Sequence, residues 1–474
     1  MASPKMVMVD ADLHYSSLAG LASAIGSREI SPVEVTTRLL DRIETLNPQL
    51  GVYFHVFADD ALSRARELET ELEQGHSRGP LHGVPIAIKD VIDCGPTTAG
   101  SLVRRDYLAP EDAAVIGRLK QAGAIIIGKA AAFEFAFGTP SWTSAFPPTR
   151  NPWRLDLLPG GSSSGSAAAV SAGLAYGALG TDTGGSIRIP AFHCGVVGLQ
   201  PTYGLVSRRG VVPLAWSKDH VGPLARSVAD VAILLQACAG YDAHDPGSAD
   251  VAVPDYRAGL GAGVAGTKIG IPWGFFEGTC QPEILESFRL AAEQLSALGA
   301  AVDATALDVT LRELSGNSYV TTWAEAAAYH LPDLRSRAEQ FGLELRLHLM
   351  YGATIGAAVY LQAQRFRRTL SDTLMALFDT YDVLMMPTTG SFPEAIPDGP
   401  RPISKWMGPE PPATYAAITN MTRVPSVSVP CGFSESGLPI GFMFIAPPFH
   451  EAELLQVAHA YETAYSSGRR HPAY

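Results

Sequence analysis

The chain predicts an α/β fold built as one large domain, and three features carry that reading. Helical and strand-like patterns alternate, most clearly where a helical stretch at Asp112–Gln121 runs into Ala124-Ile125-Ile126-Ile127. Buried-strand runs return towards the C-terminus, at Tyr381–Pro387 and in a hairpin pattern at Pro425–Ile445 turned through Gly437. No internal repeat and no clear linker divides the 474 residues, of which 47% are apolar, enough for a sizeable core.

Taken in order, Ser31-Pro32-Val33-Glu34 starts a helix with a serine cap, a proline at its first position and a glutamate that can close a capping box. Val35, Leu39, Ile43 and Leu46 follow at helical spacing, and Asn47-Pro48 reads as its end. A second, heavily charged helix covers Asp59–Glu73 and reads as a solvated surface. The loop Gly79–Pro85 leads into the strand-like run Ile86-Ala87-Ile88, closed by Lys89. A lysine at the end of a buried strand is uncommon because desolvating an ammonium is costly. The residues alone leave open an outward Lys89 paired with Asp90 or Asp93. The helix at Asp112–Gln121 reads as capped by Asp112 and closed near Gly123. Gly123–Lys129 matches the first positions of a phosphate-binding P-loop. However, Ala130 stands at the hydroxyl position and three isoleucines fill the loop, so a strand is the better reading. Helices are expected at Ser227–Ala239, Glu283–Leu298 and Glu451–Thr463, and through most of Ala328–Tyr381 with a break near Gly352. A short strand is expected at Lys268–Pro272.

The stretch Leu158–Ser207 is dense in glycine, serine and alanine, with Gly160-Gly161-Ser162 and Gly184-Gly185-Ser186 inside it. Residues this small serve the backbone, because glycine allows N–H donors to be aimed at a point. A flexible linker would have no reason to carry the apolar Ala167–Ala172 and Val196–Leu199. Two serines without a neighbouring acid–base group imply a nucleophile activated from elsewhere in the chain.

Composition excludes several classes. The net charge is −12 with no basic run, which argues against nucleic-acid binding. Five scattered cysteines, without a C-x-x-C pair, argue against a disulfide framework and a zinc site. The N-terminal residues lack the apolar core of a signal peptide, and no run of about 20 apolar residues could span a bilayer. A cytoplasmic enzyme without membrane contact, metal or cofactor is expected.

Three hydrolase chemistries compete. Gly161-Ser162-Ser163-Ser164-Gly165 fits the G-x-S-x-G elbow of an esterase with Ser163 as nucleophile, but the residues before it read as loop and no histidine stands out as its base. Metal-assisted hydrolysis lacks any H-x-H or H-E-x-x-H spacing. The third uses a lysine as base. Gly83–Asp90, Gly160–Ser163, Gly180–Arg188, Gly198–Gly204, Asp219–Pro223, Val429–Gly432 and Gly437–Gly441 together resemble the amidase signature family, in family order through most of the chain.

That resemblance implies a single domain over 1–474 with a central mixed, twisted sheet flanked by helices. Within it, 1–75 is an N-terminal helical segment and 83–223 the catalytic core. It also implies a Ser–cis-Ser–Lys triad, with Lys89 as base, Ser162 after a cis peptide and Ser186 as nucleophile. Backbone N–H groups of Thr183, Gly184, Gly185 and Ser186 are the expected oxyanion hole, and Asp182 and Arg188 are read as structural. Burial can lower a lysine from about 10.4 by several units, which would free it to act as a base.

Ser164 and Gln200 depart from the usual family residues without touching the triad. Ala130-Ala131-Ala132-Phe133 makes the neighbourhood more apolar than in many relatives. The expected activity is therefore that of a stand-alone bacterial-type amidase. Its substrate would be a hydrophobic or aryl amide or anilide, or a small carbamate or ester, with Phe133, Phe137, Trp142 and Trp216 as pocket residues. Selectivity is expected in loops near Trp323–His330, Tyr351 and Trp406–Tyr415. The alternative is the glutaminase component of a tRNA-dependent amidotransferase, which would need partner proteins. A homodimer is compatible with either.

Overall fold

A computed structural model describes residues 10–138, 140, 143–396, 415–465 and 470–474. One sheet of 11 strands organises them. From edge to edge it runs through Tyr53–Val56, Ile125–Ala130, Pro85–Lys89, Gly177–Asp182, His220–Ala225 and Val197–Gln200. It continues through Ser426–Phe433, Pro439–Ile445, Val383–Pro387, Lys268–Ile271 and Ala301–Ala304. Pro85–Lys89 lies parallel to both of its neighbours. Gly177–Asp182 pairs antiparallel with His220–Ala225, so the sheet is mixed. Helices flank it, giving the single large α/β domain expected.

The four strands around the glycine–serine stretch are buried along their whole length. That is why Ile86–Ile88 and Ile125–Ile127 read as continuous apolar runs rather than as alternating patterns. The parallel strands Pro85–Lys89 and Gly177–Asp182 both end at the same edge of the sheet, with Ile88 opposite Leu179. Lys89 and the loop from Thr183 to Ser186 therefore emerge side by side. Carboxyl ends of parallel strands are where α/β folds gather their ligands.

Several elements differ from expectation for physical reasons. The first long helix runs from Pro32 to Leu50, through Pro48. Ser31 caps it by accepting the Glu34 N–H, as expected. Pro48 costs one N–H bond in the last turn, and Gly51, in a left-handed conformation with φ 62°, closes the end by donating to Asn47 O. The helix expected from Asp112 begins at Ala114 and has no side-chain cap, because the Asp112 carboxylate is drawn to Lys120 at 2.6 Å. The helix expected from Ala328 starts at Leu311, behind a Thr310–Glu313 capping box. Gly123–Lys129 belongs to a turn and the strand Ile125–Ala130. Lys129 there is buried, 3.4 Å from Asp90 and donating to Thr97 Oγ1 and Ile92 O.

Candidate active site

Lys89 points inward, not out to Asp90 or Asp93. It is 0% exposed, and its Nζ lies 2.9 Å from Ser162 Oγ, 2.7 Å from Thr181 Oγ1 and 3.3 Å from Thr181 O. Asp90, the partner open from sequence, faces Lys129 instead. Burial brings the Lys89 ammonium down to about 7, against the opposing pull of the Asp182 and Asp219 carboxylates.

The Gly161–Ser162 peptide is cis. A Cβ on Gly161 would sit 2.2 Å from a ring carbon of Phe133, so only glycine fits beneath that ring. Phe133 also donates its N–H to Ser162 O at 3.1 Å. Ser163 N–H donates to Ser186 O at 3.1 Å, which brings the two serine loops together. Ser162 is 0% exposed and Ser186 7%, so Ser186 is the more accessible of the two hydroxyls.

Ser163 does not meet the requirements of the esterase reading. Loop precedes it, its Oγ donates to Thr181 O at 3.1 Å, and it is fully buried. The helix Ser164–Ser171 that follows is buried on all sides, which explains its small residues. Ser164 and Gln200, the two departures from family residues, satisfy their polar atoms inside the fold. Ser164 Oγ reaches Ala131 O, and Gln200 lies between Val424 O and Thr419 Oγ1.

The Thr183–Ser186 loop is built on a buried ion pair. Arg188, 0% exposed, has five N–H donors, and each finds an acceptor. Nε and Nη2 bind the two Asp182 oxygens at 3.0 and 2.9 Å, and Nη2 also meets Asn420 Oδ1 at 2.8 Å. Nη1 meets Ala416 O at 2.9 Å and Thr419 Oγ1 at 2.7 Å. Burial alone would raise the Asp182 carboxyl. The Arg188 guanidinium, with hydrogen bonds from Ile187 N–H and Asn420, outweighs it and holds the group well below the usual carboxylate range. Arg188→Met is expected to destabilise the protein by about 3–5 kcal/mol in urea unfolding, because it strands a buried carboxylate. A loss under about 1 kcal/mol would show that the pair does not anchor the loop.

This clamp corrects one expectation for the oxyanion hole. The Gly185 N–H is already spent on Asp182 Oδ1, at 2.7 Å. Gly185 has φ 117°, and a Cβ there would approach Ile189 Cδ1 to 2.6 Å. Its glycine thus serves the turn. The N–H groups of Thr183, Gly184 and Ser186 have no acceptor among the described residues.

The aromatic residues expected around a pocket are dispersed. Phe133 is 8% exposed and covers Gly161. Phe137 is buried, its ring 5.1 Å from that of His348. Trp216 is 45% exposed, at the surface of the segment that leads to Asp219. Trp142 lies outside the described residues, as does Trp406. Sequence reasoning missed Thr181, which shares Lys89 with Ser162, and Asp219, which accepts from Thr183 Oγ1 at 2.6 Å. The strand order that brings Thr181 to Lys89 had no local signal. Thr183 and Asp219 are 36 residues apart.

This fold and site define a serine-dependent hydrolase. The Amidase family model matches residues 34–455, and the chain belongs to the amidase signature family, hydrolases of amide C–N bonds. Among its relatives, the A subunit of the glutamyl-tRNA(Gln) amidotransferase of Moorella thermoacetica is 39% identical, over 97% of this chain and 99% of that one. A solved bacterial aryl acylamidase of the same family superposes with a TM-score of 0.87 at 30% identity, covering 97% of this chain and 99% of its own. The peptide amidase of Stenotrophomonas maltophilia gives 0.84 at 34% identity, with 97% and 98% covered. Sequence similarity therefore backs the amidotransferase reading more than the stand-alone aryl-amide reading. Aryl and peptide amidases are nonetheless among the structural neighbours. No described helix is long and apolar enough to cross a membrane.

Proposed function

We propose that the protein hydrolyses an amide through a seryl acyl-enzyme, with Ser186 as nucleophile, Ser162 as proton relay and Lys89 as base. One observation carries this reading: a fully buried Lys89 with its Nζ 2.9 Å from Ser162 Oγ, beside the loop of the more accessible Ser186. Three oxygens surround the amine, Ser162 Oγ, Thr181 Oγ1 and Thr181 O, and the relay uses the amine in its uncharged form. In that form lysine has two N–H donors and one lone pair. With both Thr181 oxygens as acceptors, the lone pair is left for the Ser162 hydroxyl hydrogen.

In this scheme Lys89 takes the Ser162 proton as Ser162 takes that of Ser186, and Ser186 Oγ bonds to the amide carbon. The carbonyl oxygen becomes an oxyanion facing the free N–H groups of Thr183, Gly184 and Ser186. The relay returns its proton to the departing nitrogen, and the C–N bond breaks. Water then attacks the Ser186 ester through the same relay, releasing the acid. The catalytic core is thereby 83–223 within one domain, with Ala416–Asn420 contributing from outside it. Carbamates and esters pass through the same tetrahedral species.

Two substrate readings follow. Glutamine, with ammonia passed to a tRNA-bound partner enzyme, is supported by the relatives named as amidotransferase A subunits. A hydrophobic or aryl amide, hydrolysed by the chain alone in the cytoplasm, is supported by the apolar run Ala130–Phe133 and by the likeness to an aryl acylamidase. A panel of anilides, aliphatic amides, carbamates and glutamine, given to the purified chain, separates them. Turnover of an anilide without added subunits is the result expected of a stand-alone amidase. Glutaminase activity that appears only with a co-purifying partner would favour the amidotransferase. No Ser186-dependent amide hydrolysis in either setting would sink both.

A further inference from the structure

We propose that Asp219 is a positioning residue that fixes the Thr183 backbone N–H as an oxyanion donor. The inference rests on the seryl amidase reading and extends it to a side chain outside the proton relay. Thr183 Oγ1 donates to Asp219 Oδ1 at 2.6 Å, and both residues are buried. The same carboxylate accepts the N–H of Leu214 at 2.9 Å and of Ala215 at 3.0 Å, so it is locked into its own segment.

That segment is in turn anchored from behind. Lys218, 0% exposed, donates to Ser318 O, Ser318 Oγ and Thr322 Oγ1, at 2.9, 3.1 and 2.7 Å. Ser217 donates through N and Oγ to Glu325, and Arg367 donates to Ser217 Oγ and O. Two helices, Leu311–Ser336 and Ala357–Leu377, thereby hold the carboxylate to which Thr183 is hooked.

On its other side Thr183 follows Asp182, which Arg188 and Asn420 clamp. The residue is thus held at both flanks while its own N–H stays without an acceptor among the described residues. A donor that need not reorganise is worth most where charge develops. The Asp219 carboxylate also favours the charged form of Lys89, as Asp182 does, while Arg208 stands near Asp219 itself.

The test compares Thr183→Val, Thr183→Ser and Asp219→Asn with wild type and Ser186→Ala. The probe is nitroacetanilide, or glutamine if the wild type turns it over faster, and folding of each variant is checked by thermal melting. Thr183→Val keeps the volume and removes the hydroxyl, and is expected to lower kcat about tenfold to a hundredfold with KM within about twofold. Thr183→Ser restores kcat to within about threefold. Asp219→Asn lowers kcat and moves the acidic limb of kcat/KM to lower pH. An undiminished kcat in folded Thr183→Val, or a Thr183→Ser as impaired as the valine, overturns the proposal and leaves the Ser186 chemistry intact. Turnover that survives Ser186→Ala overturns the underlying reading and this inference with it.

Discussion

Ser186→Ala is expected to lower kcat/KM on the best amide by on the order of 10⁴- to 10⁶-fold, with the melting temperature within a few degrees of wild type. The chemical loss is large because no other hydroxyl in the site combines access with the oxyanion loop. Ser162 and Ser163 are both 0% exposed, and Ser163 is tied to Thr181 O. The structural loss is small because what Ser186 gives the fold is its backbone oxygen, the acceptor for Ser163 N–H, which alanine retains. Some rate above water should survive through binding and the oxyanion donors. A variant within about tenfold of wild type would remove Ser186 as nucleophile.

Lys89→Ala is expected to cost about 10²–10⁴-fold, the usual worth of a general base, and wild-type kcat/KM is expected to show an acidic limb near pH 7. The sign follows from burial. Lys89 is brought down from an ordinary lysine value to about 7, so the amine is free above that pH and protonated below it. Activity is therefore present above about pH 7 and falls about tenfold per unit as pH drops below it. His193, His220 and His330 are poor candidates for that limb, since burial holds them at about 4, about 3 and about 4. Lys218 is also brought to about 7 by burial, but its amine faces Ser318 and Thr322 rather than the serines. A flat profile from about pH 5 to about pH 9, or near-normal rates without Lys89, would remove the lysine from the relay.

Much of this site was legible because its residues lie in short glycine- and serine-rich runs whose composition has no packing purpose. Lys89 was legible only as an oddity. Whether it pointed in or out depended on Asp90, and the deciding neighbour was Lys129, brought alongside by the parallel pairing of Pro85–Lys89 with Ile125–Ala130. Gly177–Asp182 could not be read as a strand, because glycine, alanine and threonine in a fully buried centre carry no alternation. The competition for Gly185 N–H was hidden for a different reason. Asp182 and Arg188 could be read as structural from sequence, but only geometry reveals that their clamp consumes one of the four expected oxyanion donors. The aromatic pocket was the weakest reading, since Phe133 spends its ring on Gly161 and Trp216 stands at the surface.

The most direct measurement is to quench the enzyme within its first turnovers on an activated ester or anilide and locate the acyl group by peptide mass mapping. The account predicts one acyl adduct, on Ser186, that forms in a burst, fades as substrate is consumed and forms more slowly as the pH drops below about 7. Acyl transfer to Ser163 or Ser162, or full turnover with no acyl-protein at any time, would contradict it.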